Sequence, residues 1–306
     1  MKKAVIDIGT NTFHLLIAEI QQQTDIEIIY KKTIDVKLGE CGVNKGFIAD
    51  AAYGRGINAL IIFRKELDQH QIKNIKATAT AAVRDASNGA EFIKDAFAKA
   101  DIQIEIIDGL QEAEYIYKGA KSAKVLSANT SLVMDIGGGS VEFIICNQQL
   151  IFWKKSYRLG ASRLLADFYF EDHVSKNSAL KIHQLLGQTL TDLFEAIQIH
   201  QPIELIGTAG SFDSYAEMNA IQNNFIFDAN IQHRYDFKEV EFNDLLENII
   251  ASTHQQRLNW KGLIPLRVDM ILMASILTQY ILHQTKIKQI TTCTYSLKEG
   301  LLMSDF

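Results

Sequence analysis

The sequence predicts a mixed-sheet α/β protein made of two copies of one unit, and three observations carry that reading. The segment Val5-Ile6-Asp7-Ile8-Gly9 recurs as Val133-Met134-Asp135-Ile136-Gly137 with like surroundings. Each copy is followed by a small polar pair (Thr10-Asn11; Gly138-Gly139) and a second apolar run (Phe13 to Ile17; Val141 to Ile145), which reads as strand, tight turn, strand. Beyond each hairpin comes a third strand, then helices and strands in alternation. The order is βββαβαβα twice, the pattern of a sheet covered by helices.

In the first copy the spacing predicts a third strand over about 25–35, a helix at 49–68, a strand at 74–79, a helix at 89–99, a strand at 102–107 and a helix at 110–121. Asn88 with Glu91, and Asp108 with Gln111, have capping-box spacing at two helix starts. The second copy reads as a third strand near 150–157, helices at about 160–169 and 176–198, a strand at 203–208, helices at 211–218, 243–255 and 265–283, a strand at 287–293 and a last helix at 297–304. The seam falls within Ser122 to Asn129, so the domains are expected at 1–126 and 127–306, with the terminal helix able to pack back on the first. Only two prolines occur and there is no low-complexity tract, which excludes a long tether.

Composition sets further bounds. The 306 residues are 47% apolar and 22% charged, the balance of a folded globular chain rather than a disordered or fibrous one. Three dispersed cysteines exclude a disulfide framework and a cysteine-rich zinc site, and suggest a reducing compartment. The apolar run after Lys2-Lys3 breaks at Asp7 and Gly9, too short for a signal peptide, and no run reaches membrane-spanning length; a cytoplasmic protein without membrane contact is expected. With 31 basic and 36 acidic residues the formal charge is −5, which argues against broad nucleic-acid binding. A polyanionic ligand would have to be held locally.

The two hairpins are the candidate chemistry. If the halves are related by a pseudo-two-fold, the Asp-Ile-Gly turns would face each other across a cleft. Small residues there let backbone N–H groups approach phosphate oxygens, and carboxylates can hold a hydrated Mg²⁺ on them. Asp7 and Asp135 are the paired acids; Thr10, Asn11, Gly137, Gly138, Gly139 and Ser140 are the donors. A third turn, Gly207-Thr208-Ala209-Gly210-Ser211, follows an apolar strand and opens a helix, whose free N–H groups and dipole favour an anion; Gly207, Thr208, Gly210 and Ser211 are its candidates. It is neither GxGxxG nor a Walker A loop, which argues against a dinucleotide enzyme or a P-loop NTPase. The eight histidines form no sequence-level His-Asp dyad and no HExxH, and His14 reads as a structural strand residue.

The stretches DIGTNTFHLLIA, ATATAAVRDASNG, DGLQEAEYIYKG, DIGGGSVEF, RLGASRL and GTAGSF occur in an order and spacing that resembles the exopolyphosphatase/guanosine pentaphosphate phosphohydrolase (Ppx/GppA) family, within the actin, sugar kinase and heat-shock chaperone ATPase superfamily. The resemblance covers essentially the whole chain. It implies duplicated actin/ribonuclease H-like βββαβαβα domains with the active site in the cleft between them, and Mg²⁺-dependent release of terminal phosphate from polyphosphate or guanosine pentaphosphate. The family's catalytic glutamate falls on Glu112, as general base for the attacking water. The family usually shows two successive glutamates here; this chain has Gln111 before Glu112, and Gln111 can serve Asp108 as capping partner. Arg84 stands at the family's phosphate-facing arginine, the competing reading being a salt bridge to Asp85. Glu142 matches a family acid near the metal, and reads equally as a solvent-facing strand residue. Arg267 and Asp269 match an Arg-x-Asp near the last long helix and are not assigned to catalysis.

Longer family members add a helical C-terminal region of histidine-aspartate phosphohydrolase type that helps grip long polyphosphate and form dimers. With the chain ending at Phe306, and with few basic residues near the cleft (Lys154, Lys155, Arg158, Arg163), a preference for short polyphosphate or a nucleotide is expected. Two readings of other classes stay open: an ATP-dependent small-molecule kinase on the same scaffold, and a non-catalytic sensor of guanosine penta- or tetraphosphate. The sequence leaves a homodimer open.

Overall fold

The computed structural model describes residues 2–21, 25–168, 174–229 and 231–304, and the chain divides into two compact units, Met1–Ser122 with Ser296–Phe306, and Ala123–Tyr295. In the first unit β1 (Lys2–Ile8), β2 (Thr12–Gln21) and β3 (Asp25–Asp35) form an antiparallel meander, and β4 (Ile75–Ala79) and β5 (Ile104–Ile106) continue it in parallel to give the order β3-β2-β1-β4-β5. Strand β1 is apolar on both faces, with Val5, Ile6 and Ile8 at 0% exposure, as a central strand covered on both sides requires. The covering helices are α1 (Asp50–Gln69), the one-turn α2 (Ala81–Arg84), α3 (Gly89–Ala100) and α4 (Gly109–Ser122).

The second unit repeats the plan. Strands β6 (Ser131–Ile136), β7 (Val141–Cys146) and β8 (Ile151–Tyr157) make the meander, followed by α5 (Ala161–Phe168), α6 (Lys176–Thr189), α7 (Thr191–His200), β9 (Glu204–Thr208) and α8 (Ala209–Gln222). Then come β10 (Arg234–Phe237), α9 (Glu239–Ala251), α10 (His254–Leu258), a 3-10 turn at Pro265–Arg267, α11 (Met270–Thr285) and β11 (Gln289–Cys293). Its sheet has the order β10-β11-β9-β6-β7-β8. Removing β10 leaves the strand order of the first sheet. Each unit has its own apolar core, one around Phe13, Phe63 and Phe92, the other around Phe143, Phe212 and Phe242.

Several expectations are corrected. The seam lies at 122/123, not 126/127: Val125 and Leu126 are buried, and Val125 O accepts from Arg234 Nη1 on β10, so this stretch belongs to the second unit. That unit ends at Tyr295 rather than 306, and the last helix, α12 (Leu297–Leu302), packs on α4 of the first unit, the option left open for it. The helix expected at 176–198 breaks at Leu190, which is fully buried as the shared end of α6 and α7. The one expected at 243–255 stops at Ala251, because Thr253 caps a new helix in a capping box with Gln256. The one expected at 265–283 begins as the 3-10 turn at Pro265, where a missing N–H costs nothing. Strand β10 escaped prediction because its alternation of Arg234 and Asp236 with Tyr235 and Phe237 spans only four residues; Arg234 and Asp236 pair along its exposed face. Among the described residues no helix is long and apolar enough to cross a membrane.

The two caps behave differently. Asp108 Oδ1 accepts from the N–H groups of Leu110 and Gln111, both at 2.8 Å, and Gln111 Oε1 accepts from the Asp108 N–H at 2.9 Å, so the reciprocal box forms as read. Asn88 makes no cap. Its amide bonds both backbone groups of Ile48, each at 2.8 Å, and pins the loop before α1.

Helices α4 and α12 cross on glycines. A Cβ on Gly300 would lie 1.7 Å from Tyr115 O, and one on Gly119 would lie 2.1 Å from Ser296 O. Backbone faces backbone, so no side chain can yield. Gly300→Ala should therefore destabilise by about 1–3 kcal/mol or more, seen as a lower midpoint in thermal unfolding. An unchanged midpoint would show that the two helices part without cost.

Candidate active site

In the first unit β1, β4 and β5 run parallel, so their carboxyl ends share one edge of the sheet, the edge where α/β proteins bind ligands. Three candidates are brought there. The Asp7 hairpin turns at Gly9, whose N–H donates to Thr12 O at 3.1 Å. Arg84 ends α2, which follows β4, and the Thr80 N–H bonds Ile8 O at 3.3 Å, tying this junction to the end of β1. Glu112 lies in the first turn of α4, which follows β5, with the Ile107 N–H on Ala79 O at 3.1 Å.

Arg84 and Glu112 touch. Arg84 Nη1 donates to Glu112 Oε2 at 3.2 Å and to Ile107 O at 3.0 Å, while Nε stands 3.7 Å from Asp85 Oδ1. The Asp85 contact is thus present and is the longest of the three. Glu112 is 8% exposed, and its backbone N–H is held by Asp108 O at 2.9 Å. Among the described residues Arg84 Nη2 has no protein acceptor, which leaves donors for a ligand oxygen.

The turn after Asp7 directs its carbonyls into the unit. Thr10 O accepts from the Gly39 N–H at 2.9 Å, and Asn11 O accepts from Val36 and Lys37 at 2.9 and 2.7 Å. Arg55 holds that loop from behind, Nε on Val36 O at 2.7 Å and Nη2 on Lys37 O at 3.2 Å. The second unit does the same. The Gly137 N–H closes the turn on Ser140 O at 3.0 Å, while Gly137 O and Gly138 O accept from Ala161 and Ser162 at 2.9 and 3.0 Å. Among the described residues the N–H groups of Gly138, Gly139 and Ser140 have no protein acceptor, three successive donors of the kind that binds anions.

Strand register places a matching row of side chains behind each turn. Asp7 is opposite His14 on β2 and beside Thr78 on β4, and His14 is opposite Thr33 on β3. Asp135 is opposite Glu142 and beside Thr208, and Glu142 is opposite Ser156. The His14 ring bonds Thr12 Oγ1 at 2.8 Å and Thr33 Oγ1 at 2.9 Å, the structural role expected of it. Thr208 Oγ1 donates to Asp135 Oδ2 and Ser156 Oγ to Glu142 Oε1, both at 2.6 Å. Glu142 is 1% exposed, which removes the solvent-facing reading. Ser156 was missed by the sequence reading, although the hairpin register that pairs it with Glu142 follows from the tight turn.

The third turn is divided. Gly207 is a ladder residue between β6 and β11, and a Cβ there would lie 2.0 Å from the Phe212 ring, so this glycine makes room for packing. Thr208 is fully buried behind Asp135. Neither is an open phosphate donor. Ala209 turns the chain into α8 at φ 66°, a left-handed conformation that costs an L-residue about 1–2 kcal/mol. Gly210 lies under the Arg267 guanidinium, where a Cβ would meet Nη2 at 2.5 Å, and Arg267 Nη1 donates to Ser214 Oγ at 3.0 Å. Arg267, set aside on sequence grounds, therefore stands at the start of α8 beside Gly210 and Ser211. The tertiary fold also makes a His-Asp contact that no sequence spacing announced, His254 Nδ1 to Asp269 Oδ1 at 2.6 Å.

Among the described residues no group of three or more histidine, cysteine or acidic side chains is gathered for a metal. What is gathered is the pair Asp135 and Glu142, two buried carboxylates opposite each other on neighbouring strands, a like-charge arrangement that a sheet does not favour unaided.

Comparison with known proteins agrees with this architecture. The model of the Ppx/GppA phosphatase family matches residues 16–306. A crystal structure of an exopolyphosphatase from Cytophaga hutchinsonii superposes with a TM-score of 0.95 at 39% identity, covering 99% of this chain and 96% of that one; the fold is the actin-like ATPase fold. The bifunctional 3-dehydroquinate synthase/phosphatase of Fusobacterium nucleatum is 34% identical over 92% of this chain, which spans 43% of that protein. The guanosine-5'-triphosphate,3'-diphosphate pyrophosphatase of Aeromonas salmonicida is 25% identical over 98% of this chain, which spans 58% of that protein.

The Thr208 hydroxyl bonds a buried carboxylate, so Thr208→Val keeps shape and strand preference but removes the donor. Stability should fall by about 1–3 kcal/mol, measured by denaturant unfolding. A loss below a few tenths would mean that Asp135 does not depend on it.

Proposed function

The chain belongs to the Ppx/GppA phosphatase family and is a hydrolase, and from that premise we propose that it releases terminal phosphate from short inorganic polyphosphate or guanosine pentaphosphate by direct water attack. The observation that supports this reading is the Arg84–Glu112 contact at 3.2 Å, held at the carboxyl edge of the sheet that also carries the Asp7 turn. A carboxylate held beside the attacking water can take its proton. Arg84 offers its remaining donors to the terminal phosphoryl oxygens, and the N–H groups of Gly138, Gly139 and Ser140 offer theirs to phosphate. Water adds its oxygen to the terminal phosphorus as the bridging P–O bond breaks. Glu112 takes the water's proton, and the products are inorganic phosphate and a substrate one phosphate shorter.

Asp135 and Glu142 fit a hydrated Mg²⁺. Both are hard oxygen ligands, both are oriented by hydroxyls at 2.6 Å, and a cation would relieve their mutual repulsion. The corresponding acid of the first unit is Asp7, whose cross-strand neighbour is His14. Bound there, the ion supplies neutralisation of phosphate charge. The preference for short substrates is supported by the scarcity of available cations near the second hairpin. Arg163 is buried, and Lys155 is paired with Asp192.

The test is phosphate release with Mg²⁺ on short polyphosphate, long polyphosphate, guanosine pentaphosphate and ATP in parallel. Turnover of the first or third is expected, with long chains shortened distributively. Phosphorylation of a sugar by ATP, or binding without turnover, would replace the proposal. Glu112→Gln should lower kcat by about 10²–10⁴-fold and leave KM nearly unchanged. Were Glu112 only an acid favouring a helix start, the change would cost a few tenths of a kcal/mol in stability and nothing in rate; steady-state kinetics and thermal melting on one preparation separate the two.

A further inference from the structure

Three consecutive carbonyls of the Gly137–Ser140 turn are taken by one short segment. Ala161 N–H donates to Gly137 O at 2.9 Å, Ser162 N–H to Gly138 O at 3.0 Å, and Arg163 Nε to Gly139 O at 2.7 Å. The segment begins at Gly160, where a Cβ would lie 2.3 Å from Gly138 O and 2.5 Å from Gly139 C. Arg163 is 5% exposed, so its guanidinium sits behind the turn and not on the surface where a polyanion would meet it. The sequence counted Arg163 among the few basic residues near the cleft; its burial takes it out of that set.

In a trans peptide the C=O of one residue and the N–H of the next point in opposite directions. Drawing Gly137 O, Gly138 O and Gly139 O to one side therefore turns the N–H groups of Gly138, Gly139 and Ser140 to the other. Glycines in such a turn have several peptide orientations of similar energy, so the outward set is stable only if something holds each carbonyl. Backbone donors hold two of them. The third is held by a side chain alone.

We propose that Arg163 is a positioning residue for phosphate binding: by holding Gly139 O it keeps the Ser140 N–H turned outward and completes the run of three donors. The identity of the anion rests on the phosphohydrolase reading, but the orientation can be read with inorganic phosphate itself. The donors serve phosphate whether or not it is reacting, so their loss should act on binding more than on the chemical step.

Arg163→Met removes the donor, Arg163→Lys keeps the charge and displaces it, and Gly160→Ala presses on the same turn without touching the arginine. For each, the affinity for inorganic phosphate is measured by calorimetry, KM and kcat on short polyphosphate by steady-state kinetics, and the unfolding midpoint by thermal melting. Arg163→Met and Gly160→Ala should weaken phosphate binding and raise KM by about tenfold, the worth of one hydrogen bond to an anion, with kcat within about threefold. Arg163→Lys should fall between them and the unaltered chain. Where the methionine variant does not fold, the lysine and alanine variants carry the test. Folded variants with phosphate affinity and KM within twofold of the unaltered chain, whatever their melting points, overturn the proposal, as does a fall in kcat with KM untouched. Absence of turnover in the unaltered chain would overturn the phosphohydrolase reading alone, since the phosphate titrations still decide the role of Arg163.

Discussion

Both hairpin turns depend on the opposed directions of C=O and N–H within a peptide group. A tight turn of small residues has no shape of its own to recognise an anion; it acquires one when its carbonyls are drawn inward and its N–H groups are thereby set outward. In the first unit the loop after β3 draws them, through Gly39, Val36 and Lys37, with Arg55 bonded to the carbonyls of that loop. In the second the start of α5 draws them, with Arg163 bonded to the turn itself. The two devices stand at corresponding places, after the third strand of each meander, although Gly-Glu-Cys-Gly and Gly-Ala-Ser-Arg share little as sequences.

Duplication preserved the backbone and let the side-chain rows diverge. Each row starts from a threonine on the neighbouring parallel strand and an aspartate at the end of the first strand of its meander. The next position is His14 in one unit and Glu142 in the other, and it is followed by a hydroxyl, Thr33 or Ser156. Where the partner of the aspartate is an imidazole bonded on both ring nitrogens, the row contains one acid. Where the partner is a second carboxylate, the row brings two buried acids side by side, each bonded by a hydroxyl, Thr208 or Ser156. The chemistry of the two halves is therefore unequal despite equal topology.

Glu112 is held at three levels. The Asp108–Gln111 box fixes where α4 begins, the Arg84 guanidinium meets the carboxylate, and α12 presses α4 into place through the glycine crossing at Gly119 and Gly300. The substitution of glutamine for the family's first glutamate falls on the capping partner. Gln111 bonds the Asp108 N–H and leaves the second position of the pair to face Arg84.

The duplication, the meander with its following alternation, the hairpin turns and the Asp108 cap were legible in the sequence, because each is written in short runs of neighbouring residues. A turn needs glycine where it turns, a cap needs its acceptor three residues before its partner, and strand registers follow from a tight hairpin. What escaped was set by residues far apart. Gly207 and Gly210 look alike in sequence, yet one makes room for Phe212 and the other lies under Arg267; Asn88 has the spacing of a cap and is taken by Ile48. Arg163 is one basic residue among several in the sequence until Gly139 O is found beneath it, and the glycine contact of Gly300 with Tyr115, through which the last helix packs on the first unit, has no local signal. Local sequence determines which conformations a segment can adopt, through backbone dihedrals and short-range hydrogen bonds. Which buried polar group each side chain must satisfy, and which glycine must yield to a neighbour, is decided only when the tertiary structure brings distant segments into contact.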